Sequence, residues 1–252
     1  MNWKQLQSVV GIAALSIGTT AGAALAEGEL FMYNWTDYTS PELIKKFEKE
    51  HDVKVTLDTF DSNETLLAKL KSGGTGYDII VPGQNFIPVF IKEGLLQKID
   101  ASKLAGYQNI ADDLVSPAWD AKNAYTIPWQ WGTTTFAVNT AIYSGDIDTY
   151  KTLFEPPEEL KGKIGMFKNA VDTVAFAQIY LGLPLCNESP DDMKKVLALL
   201  ESQKPHVKVY NSDGVLERLV SGDTDLHQIW NGYTVRARKQ KATIKYAFPR
   251  EG

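Results

Sequence analysis

The fold of this chain is decided by residues 30–81, which read LFMYNWTDYTSPELIKKFEKEHDVKVTLDTFDSNETLLAKLKSGGTGYDIIV. Residues 30–33 and 77–81 are short apolar runs, and residues 53–57 alternate apolar with polar side chains, so all three are typical of strands. Two stretches of helical periodicity separate them. Strands that alternate with helices in this way predict a parallel sheet covered by helices, which is an α/β fold.

The helices between these strands carry their own start and stop signals. Ser40 is predicted to cap a helix that has a proline at its first position and an acid in its first turn. Asn63 is predicted to cap the next helix, and Gly73 with Gly74 to end it. A further helix is predicted from Phe86 onward.

Two loops of this unit follow strands and are therefore candidates for ligand binding. Ligands of open parallel sheets bind outside the carboxyl ends of the strands, where the strand order reverses. Residues 34–38 follow the first strand, and residues 82–85 follow the third. We expect both loops to open on the same edge of the sheet.

A second unit of strands and helices is predicted to begin near Phe136. Its predicted strands are residues 163–167, 207–210, 226–230 and 244–248, and its predicted helices are residues 173–181, 191–200 and 214–220. The sequence therefore predicts two α/β units.

The N-terminus has the features of an export signal. Lys4 precedes an apolar core of residues 8–18, and Ala24-Leu25-Ala26 matches an A-x-A cleavage site. Because the core has about half the length of a membrane span, we expect residues 1–26 to be removed and the mature chain to begin near Glu27 in the periplasm. A retained membrane anchor is the alternative.

Composition and motif content argue against several kinds of protein. The formal net charge of −5 is unlike the basic face of a nucleic-acid-binding protein. The three histidines have no metal-ligand spacing and no nucleophile motif beside them, so we expect no metal, no cofactor and no catalysis. Residues 73–76 carry three glycines but lie between a helix and a strand, the reverse of a phosphate loop. Cys186, the single cysteine, is predicted to be a small buried side chain.

Aromatic residues near the predicted strand ends indicate a cationic ligand. Trp35 and Tyr38 lie in the first loop, two tryptophans lie in residues 127–134, and Trp230 ends a predicted strand. Each alone could belong to a core, but together they suggest a box of ring faces, which attracts an ammonium group by about 0.5–2 kcal/mol per ring. Such a ligand also needs carboxylates, for which Asp172 is a candidate.

Seven short motifs follow one another from about Leu30 to Gly252: NWTDY (34–38), DSNETLLAKL (61–70), YDIIVP (77–82), EGLLQKID (93–100), IPWQWGTT (127–134), IWNG (229–232) and FPREG (248–252). They resemble the spermidine/putrescine-binding proteins of bacterial polyamine ABC transporters, which are periplasmic solute-binding proteins. The resemblance implies a hinged, two-lobed periplasmic-binding-protein fold of type II, in which each lobe is a mostly parallel sheet flanked by helices.

The resemblance also implies limits for the lobes. The N-terminal lobe would comprise residues 27–136, the second lobe residues 137–247, and residues 248–252 would start the return crossover to the first lobe. Members of the family continue well beyond an FPREG-like segment. We therefore expect this chain to be truncated at its C-terminus and its first lobe to be incomplete.

Eight residues are candidate ligand contacts on this basis: Trp35, Thr36, Tyr38, Asn85, Phe86, Asn169, Asp172 and Trp230. Gly83 and Asn85, with Phe86 next, stand where the family often has a serine and a tyrosine. Asn169 and Asp172 stand where spermidine binders carry two acids. With one carboxylate fewer, we expect a diamine or an atypical polyamine to be preferred over spermidine.

The function predicted from the sequence is that of a monomeric, non-catalytic binding protein. It would capture a polyamine of the putrescine and spermidine class and deliver it to the membrane permease of an ABC transporter. Two alternatives remain open. The same scaffold could dock on a membrane signalling receptor as a polyamine sensor, or it could bind another small solute such as a sugar or an amino acid derivative.

Overall fold

The computed structural model describes residues 28–73 and 76–252. The predicted export signal, residues 1–26, lies outside the described residues, and so does Gly74. Over the two described ranges, none of the helices combines the length and the apolar character that a membrane crossing requires.

The described residues form eight strands and eight α-helices, joined by short 3-10 turns. The strands are β1 (Gly28–Trp35), β2 (Val53–Phe60), β3 (Ile79–Ile80), β4 (Thr134–Asn139), β5 (Ile164–Met166), β6 (Val207–Tyr210), β7 (Leu226–Trp230) and β8 (Ile244–Tyr246). The helices are α1 (Pro41–His51), α2 (Asn63–Lys71), α3 (Ile87–Lys92), α4 (Lys151–Phe154), α5 (Ala170–Tyr180), α6 (Pro190–Gln203), α7 (Val215–Ser221) and α8 (Asn231–Gln240).

The first sheet, as far as the structure describes it, has the order β2-β1-β3 and is parallel throughout. The predicted parallel α/β order of its strands is confirmed. β3 is shorter than the predicted run of residues 77–81, because only Ile79 and Ile80 keep the ladder register with β1. The backbone N–H groups of Asp78 and Val81 still donate to carbonyls of β1, so the flanking residues follow the same edge.

The predicted N-cap of α1 is correct, and the predicted N-cap of α2 is wrong. Ser40 caps α1, where its hydroxyl accepts a hydrogen bond from the N–H of Leu43. The cap of α2 is Ser62 and not Asn63, since the Ser62 hydroxyl accepts from the N–H of Thr65 at 3.2 Å. Asn63 is buried, and its Oδ1 accepts from the N–H of Gly83 at 2.8 Å. This contact fastens the loop after β3 to the start of α2.

The second sheet of the described chain has the order β6-β5-β7-β4-β8. β5 runs parallel to β6 and β7, whereas β4 runs antiparallel to β7 and β8. Its predicted strands are confirmed, although the last one ends at Tyr246 rather than Phe248. The predicted limit between residues 136 and 137 falls inside β4, and the division into domains stays a prediction.

Each sheet packs its own apolar core, so the molecule has two lobes. We define the first lobe as β1–β3 with α1–α3, whose core contains Tyr33, Phe60, Leu66 and Phe90. The second lobe comprises β4–β8 with α4–α8 and has the larger core, in which α5 buries Phe176 against the sheet.

The prediction that Cys186 is buried is wrong. α5 ends at Tyr180 and α6 begins at Pro190, so Cys186 lies in the connection between them, where its side chain is exposed. Its φ of 57° shows a tight turn at this point. Connections of this kind run over the protein surface, and this outweighs the tendency of cysteine to be buried.

Candidate functional site

A cleft of about 2070 Å³ lies where the two lobes meet. The first lobe contributes the loops after β1 and β3, and the second lobe contributes the starts of α5 and α8. The expectation that residues 34–38 and 82–85 open on one edge is confirmed, because both loops line this cleft. The parallel pairing of β1 with β3 brings their carboxyl ends together.

The loop after β1 is a tight turn that holds two aromatic rings on the cleft. Asn34 is buried, and its side chain bonds the N–H of Trp35 and the hydroxyl of Thr39. The N–H of Tyr38 donates back to the carbonyl of Trp35 at 3.3 Å. This turn needs the left-handed backbone of Asp37, whose φ is 59°, and aspartate tolerates that conformation better than most residues. The ring centroids of Trp35 and Tyr38 consequently lie 6.2 Å apart.

The second lobe places Trp230 against these rings. Trp230 ends β7 and stacks on Phe167, with ring centroids 4.2 Å apart and planes 20° apart. Its ring lies 6.3 Å from that of Tyr38, with the planes at 81°. We refer to Trp35, Tyr38 and Trp230 as the ring group, which draws its members from both lobes.

Asp172 is the carboxylate that lies near the ring group in the second lobe. It lines the cleft in the first turn of α5, and Asn169 Nδ2 donates to its Oδ2 at 2.9 Å. Burial raises the pKa of Asp172 to about 6, although the hydrogen bond from Asn169 lowers it. Burial, and to a smaller extent the charge of Asp172, also raise the pKa of Tyr38, while a hydrogen bond with Gln130 lowers it. The Oδ1 atom of Asn169 is buried and has no hydrogen-bond partner among the described residues.

Comparison with known proteins assigns the chain to a family. Residues 42–252 match the model of the bacterial extracellular solute-binding proteins. The chain belongs to this family. It is 34% identical to the spermidine/putrescine-binding periplasmic protein of Escherichia coli K12. The alignment spans 251 residues and covers 99% of this chain and 72% of that protein. It is 33% identical to the putrescine/agmatine-binding protein of Pseudomonas aeruginosa PAO1, over 95% of this chain and 71% of the relative.

Solved structures agree with this assignment. A putative spermidine/putrescine ABC transporter from Listeria monocytogenes superposes with a TM-score of 0.82 at 31% identity, over 89% of this chain and 69% of the other. The Tp0655 lipoprotein of Treponema pallidum superposes with a TM-score of 0.78 at 28% identity, over 88% and 70% of the two chains. The solute-binding protein therefore has the type II periplasmic-binding-protein fold, and its resemblance to spermidine/putrescine-binding proteins is confirmed.

Six of the eight predicted ligand contacts of this solute-binding protein line the cleft: Trp35, Tyr38, Asn85, Asn169, Asp172 and Trp230. Thr36 and Phe86 are not among the described residues that line it. The backbone of Thr36 faces the second lobe, where its carbonyl accepts from the hydroxyl of Tyr233 at 3.1 Å. Phe86 packs against Phe90 at the core of the first lobe. Whether any of the eight touches a ligand stays a prediction.

Among the other residues that line the cleft of the solute-binding protein, Asp37, Tyr233 and Arg236 make contacts between the lobes that the sequence did not single out. The Tyr233 hydroxyl shares its one proton between the Thr36 carbonyl and Asp37 Oδ2, each at 3.1 Å. Arg236 Nη2 lies 3.7 Å from the same Asp37 oxygen. Burial first, and then the charge of Asp37, raise the pKa of Tyr233, so its hydroxyl keeps the proton it donates. Asp37 could have been found from its place inside NWTDY. Tyr233 and Arg236 could not, because their contact with Asp37 depends on how the lobes meet.

Proposed function

We propose that this solute-binding protein captures a polyamine in the cleft between its lobes and passes it to the membrane permease of an ABC transporter. The observation that carries the proposal is a ring group drawn from both lobes next to the carboxylate of Asp172. The names of the relatives support it, since they specify spermidine, putrescine and agmatine.

The chemistry of the cleft suits an alkyl chain with ammonium ends. Ring faces exclude water from methylene groups and attract ammonium groups through the ring quadrupole. Asp172 would accept a charge-assisted hydrogen bond from one ammonium, a contact worth about 1.5–3 kcal/mol. The Oδ1 atom of Asn169, which has no hydrogen-bond partner in the part of the chain that the structure describes, adds a second acceptor beside it, so one ammonium would satisfy both groups.

The proposal extends to the whole protein. Residues 1–26 would direct export to the periplasm, and the lobes, residues 27–136 and 137–247, would close on the ligand as a monomer without catalysing a reaction. Closure follows if the ligand binds the closed form more tightly than the open form. Among polyamines, a diamine would be preferred to spermidine, because Asn169 stands beside Asp172 in place of a second acid.

Isothermal titration calorimetry with putrescine, agmatine and spermidine tests this proposal, with a sugar and a neutral amino acid as matched controls. We expect the diamine to bind most tightly and the two controls to give no heat of binding. Tight binding of a control solute without any amine binding would refute the proposed function. Tightest binding of spermidine would refute the preference for a diamine and leave polyamine capture intact.

A further inference from the structure

One carboxylate lies on each side of the ring group, and only one of the two faces a basic side chain. Asp172 lies on the α5 side, and no basic residue of the described chain forms a salt bridge with it. Asp37 lies on the α8 side, where Arg236 faces it. Arg236 is the one basic side chain among the described residues that line the cleft, whereas several carboxylates line it.

Arg236 is held in place by two neighbours. Its guanidinium carbon lies 4.2 Å from the centroid of the Tyr233 ring, a cation–π contact, and its Nη2 lies 3.7 Å from Asp37 Oδ2. Tyr233 positions both Arg236 and Asp37. The guanidinium packs on its ring, and its hydroxyl donates a hydrogen bond to the carboxylate of Asp37. Tyr233 and Arg236 are three residues apart on α8 and therefore share one face of the helix.

A guanidinium this close to a carboxylate changes what the carboxylate can do for a ligand. A second cation near Asp37 meets the repulsion of Arg236 together with the attraction of Asp37, so the two effects largely cancel. An ammonium that displaced Arg236 would have to replace both its ion pair and its contact with the Tyr233 ring. A fixed charge of the same sign as a ligand is a known means of rejecting that ligand.

We propose that Arg236 determines the charge selectivity of the cleft by neutralising Asp37, so that of the two carboxylates beside the ring group only Asp172 is left open for an ammonium group. The site then discriminates against amines of higher charge, so the affinity for spermidine is reduced more than the affinity for putrescine. Arg236 is a specificity-determining residue, and Tyr233 is a positioning residue that acts through it. This inference rests on the proposed function, because it concerns amine binding in the same cleft.

The test compares the affinity ratio of putrescine to spermidine, measured by calorimetry, in the native chain and in Arg236→Met. Removing the guanidinium frees Asp37, so we expect spermidine to gain up to about fivefold in affinity relative to putrescine. Arg236→Lys keeps the charge and should keep most of the native ratio. Arg238→Met is the matched control, because it removes the same charge from an exposed position of α8 and should leave the ratio unchanged.

Two results would overturn the inference. One is an unchanged ratio in Arg236→Met, and the other is an equal shift in Arg238→Met, which would reduce the effect to net charge. Arg236→Gln serves as a second neutral variant if Arg236→Met melts at a lower temperature than the native chain. If the native chain binds no amine, the proposed function fails and this inference fails with it. If the native chain binds amines but the ratio does not respond, only this inference fails.

Discussion

The proposed contact between Asp172 and an ammonium group should make amine binding depend on pH, because burial raises the pKa of Asp172 to about 6. Above that pH the carboxylate is charged and can pair with an ammonium, and binding in turn favours the charged form. Below it the ligand-free protein holds a proton on Asp172 that must leave before the ion pair can form. We therefore expect affinity to be constant above about pH 7 and to fall by up to about tenfold per pH unit below about pH 6.

Calorimetry with putrescine between about pH 5 and pH 8 measures this dependence, and Asp172→Asn is the control. The variant should bind more weakly at neutral pH and should show a flat profile across the same range. Asp172 accepts a hydrogen bond from Asn169, which an asparagine at position 172 can still accept through its amide oxygen. A native profile as flat as that of the variant would show that Asp172 does not touch the ligand.

Individual residues also show where prediction from sequence succeeds. Trp35, Tyr38 and Trp230 could be placed at the cleft because each stands at or after a strand end, and strand ends are located by short-range patterns. The cap of α2 was misplaced because Ser62 and Asn63 are both good capping residues. A distant contact of Asn63 with Gly83 decides between them. No local pattern reveals a contact between residues 20 positions apart.

At the scale of elements, the carboxyl ends of β1 and β7 bring aromatic rings from two different sheets to one cleft. Trp35→Ala and Trp230→Ala should each weaken putrescine binding by at least about tenfold, since each removes a ring face that, in the proposed complex, covers methylene groups and attracts ammonium. Calorimetry measures the loss. Tyr210→Ala, at the exposed end of β6, is a control that should bind normally. Unchanged affinity in both tryptophan variants would show that Trp35 and Trp230 serve packing and do not contact the ligand.

β5 and β7 depend on a glycine at the point where they pair. Gly165 lies opposite His227, and a Cβ at position 165 would come within 2.0 Å of the imidazole ring. The ring cannot turn away easily, because it is buried, accepts from Arg218 Nε and donates to the carbonyl of Gln228. Gly165→Ala should therefore lower the free energy of unfolding by about 1–3 kcal/mol.

Urea denaturation measures this loss, with Gly232→Ala as the matched control. A Cβ at Gly232 meets no atom within 4 Å, and the residue lies in the first turn of α8, where alanine should be neutral or slightly stabilising. Equal stability of the two variants would mean that the second sheet adjusts to the added methyl group. The close approach itself could not be foreseen, because it requires the register of β5 against β7.

At the scale of the whole molecule, the lobes are joined by polar contacts around the cleft as well as by the ring group. Lys168, between β5 and α5, pairs with Asp61 after β2 at 3.0 Å. The hydroxyl of Tyr233 in α8 donates to the carbonyl of Thr36 after β1 at 3.1 Å. Such contacts stabilise the closed arrangement before any ligand arrives. The apparent affinity of a ligand that binds the closed form is its intrinsic affinity multiplied by the fraction of molecules that are closed.

Lys168→Met should therefore weaken amine binding without removing any group that lines the cleft. An ion pair with one partly exposed partner contributes about 0.2–1 kcal/mol, so we expect a loss of up to about fivefold in affinity. Small-angle scattering should show a larger radius of gyration for the ligand-free variant, and saturating putrescine should return it to the native value. Lys161→Met is the matched control, because Lys161 pairs with Glu158 at 2.7 Å and this ion pair lies within the second lobe. If both lysine variants bind putrescine like the native chain and scatter alike, the Lys168–Asp61 pair has no part in closure, and the ligand alone draws the lobes together.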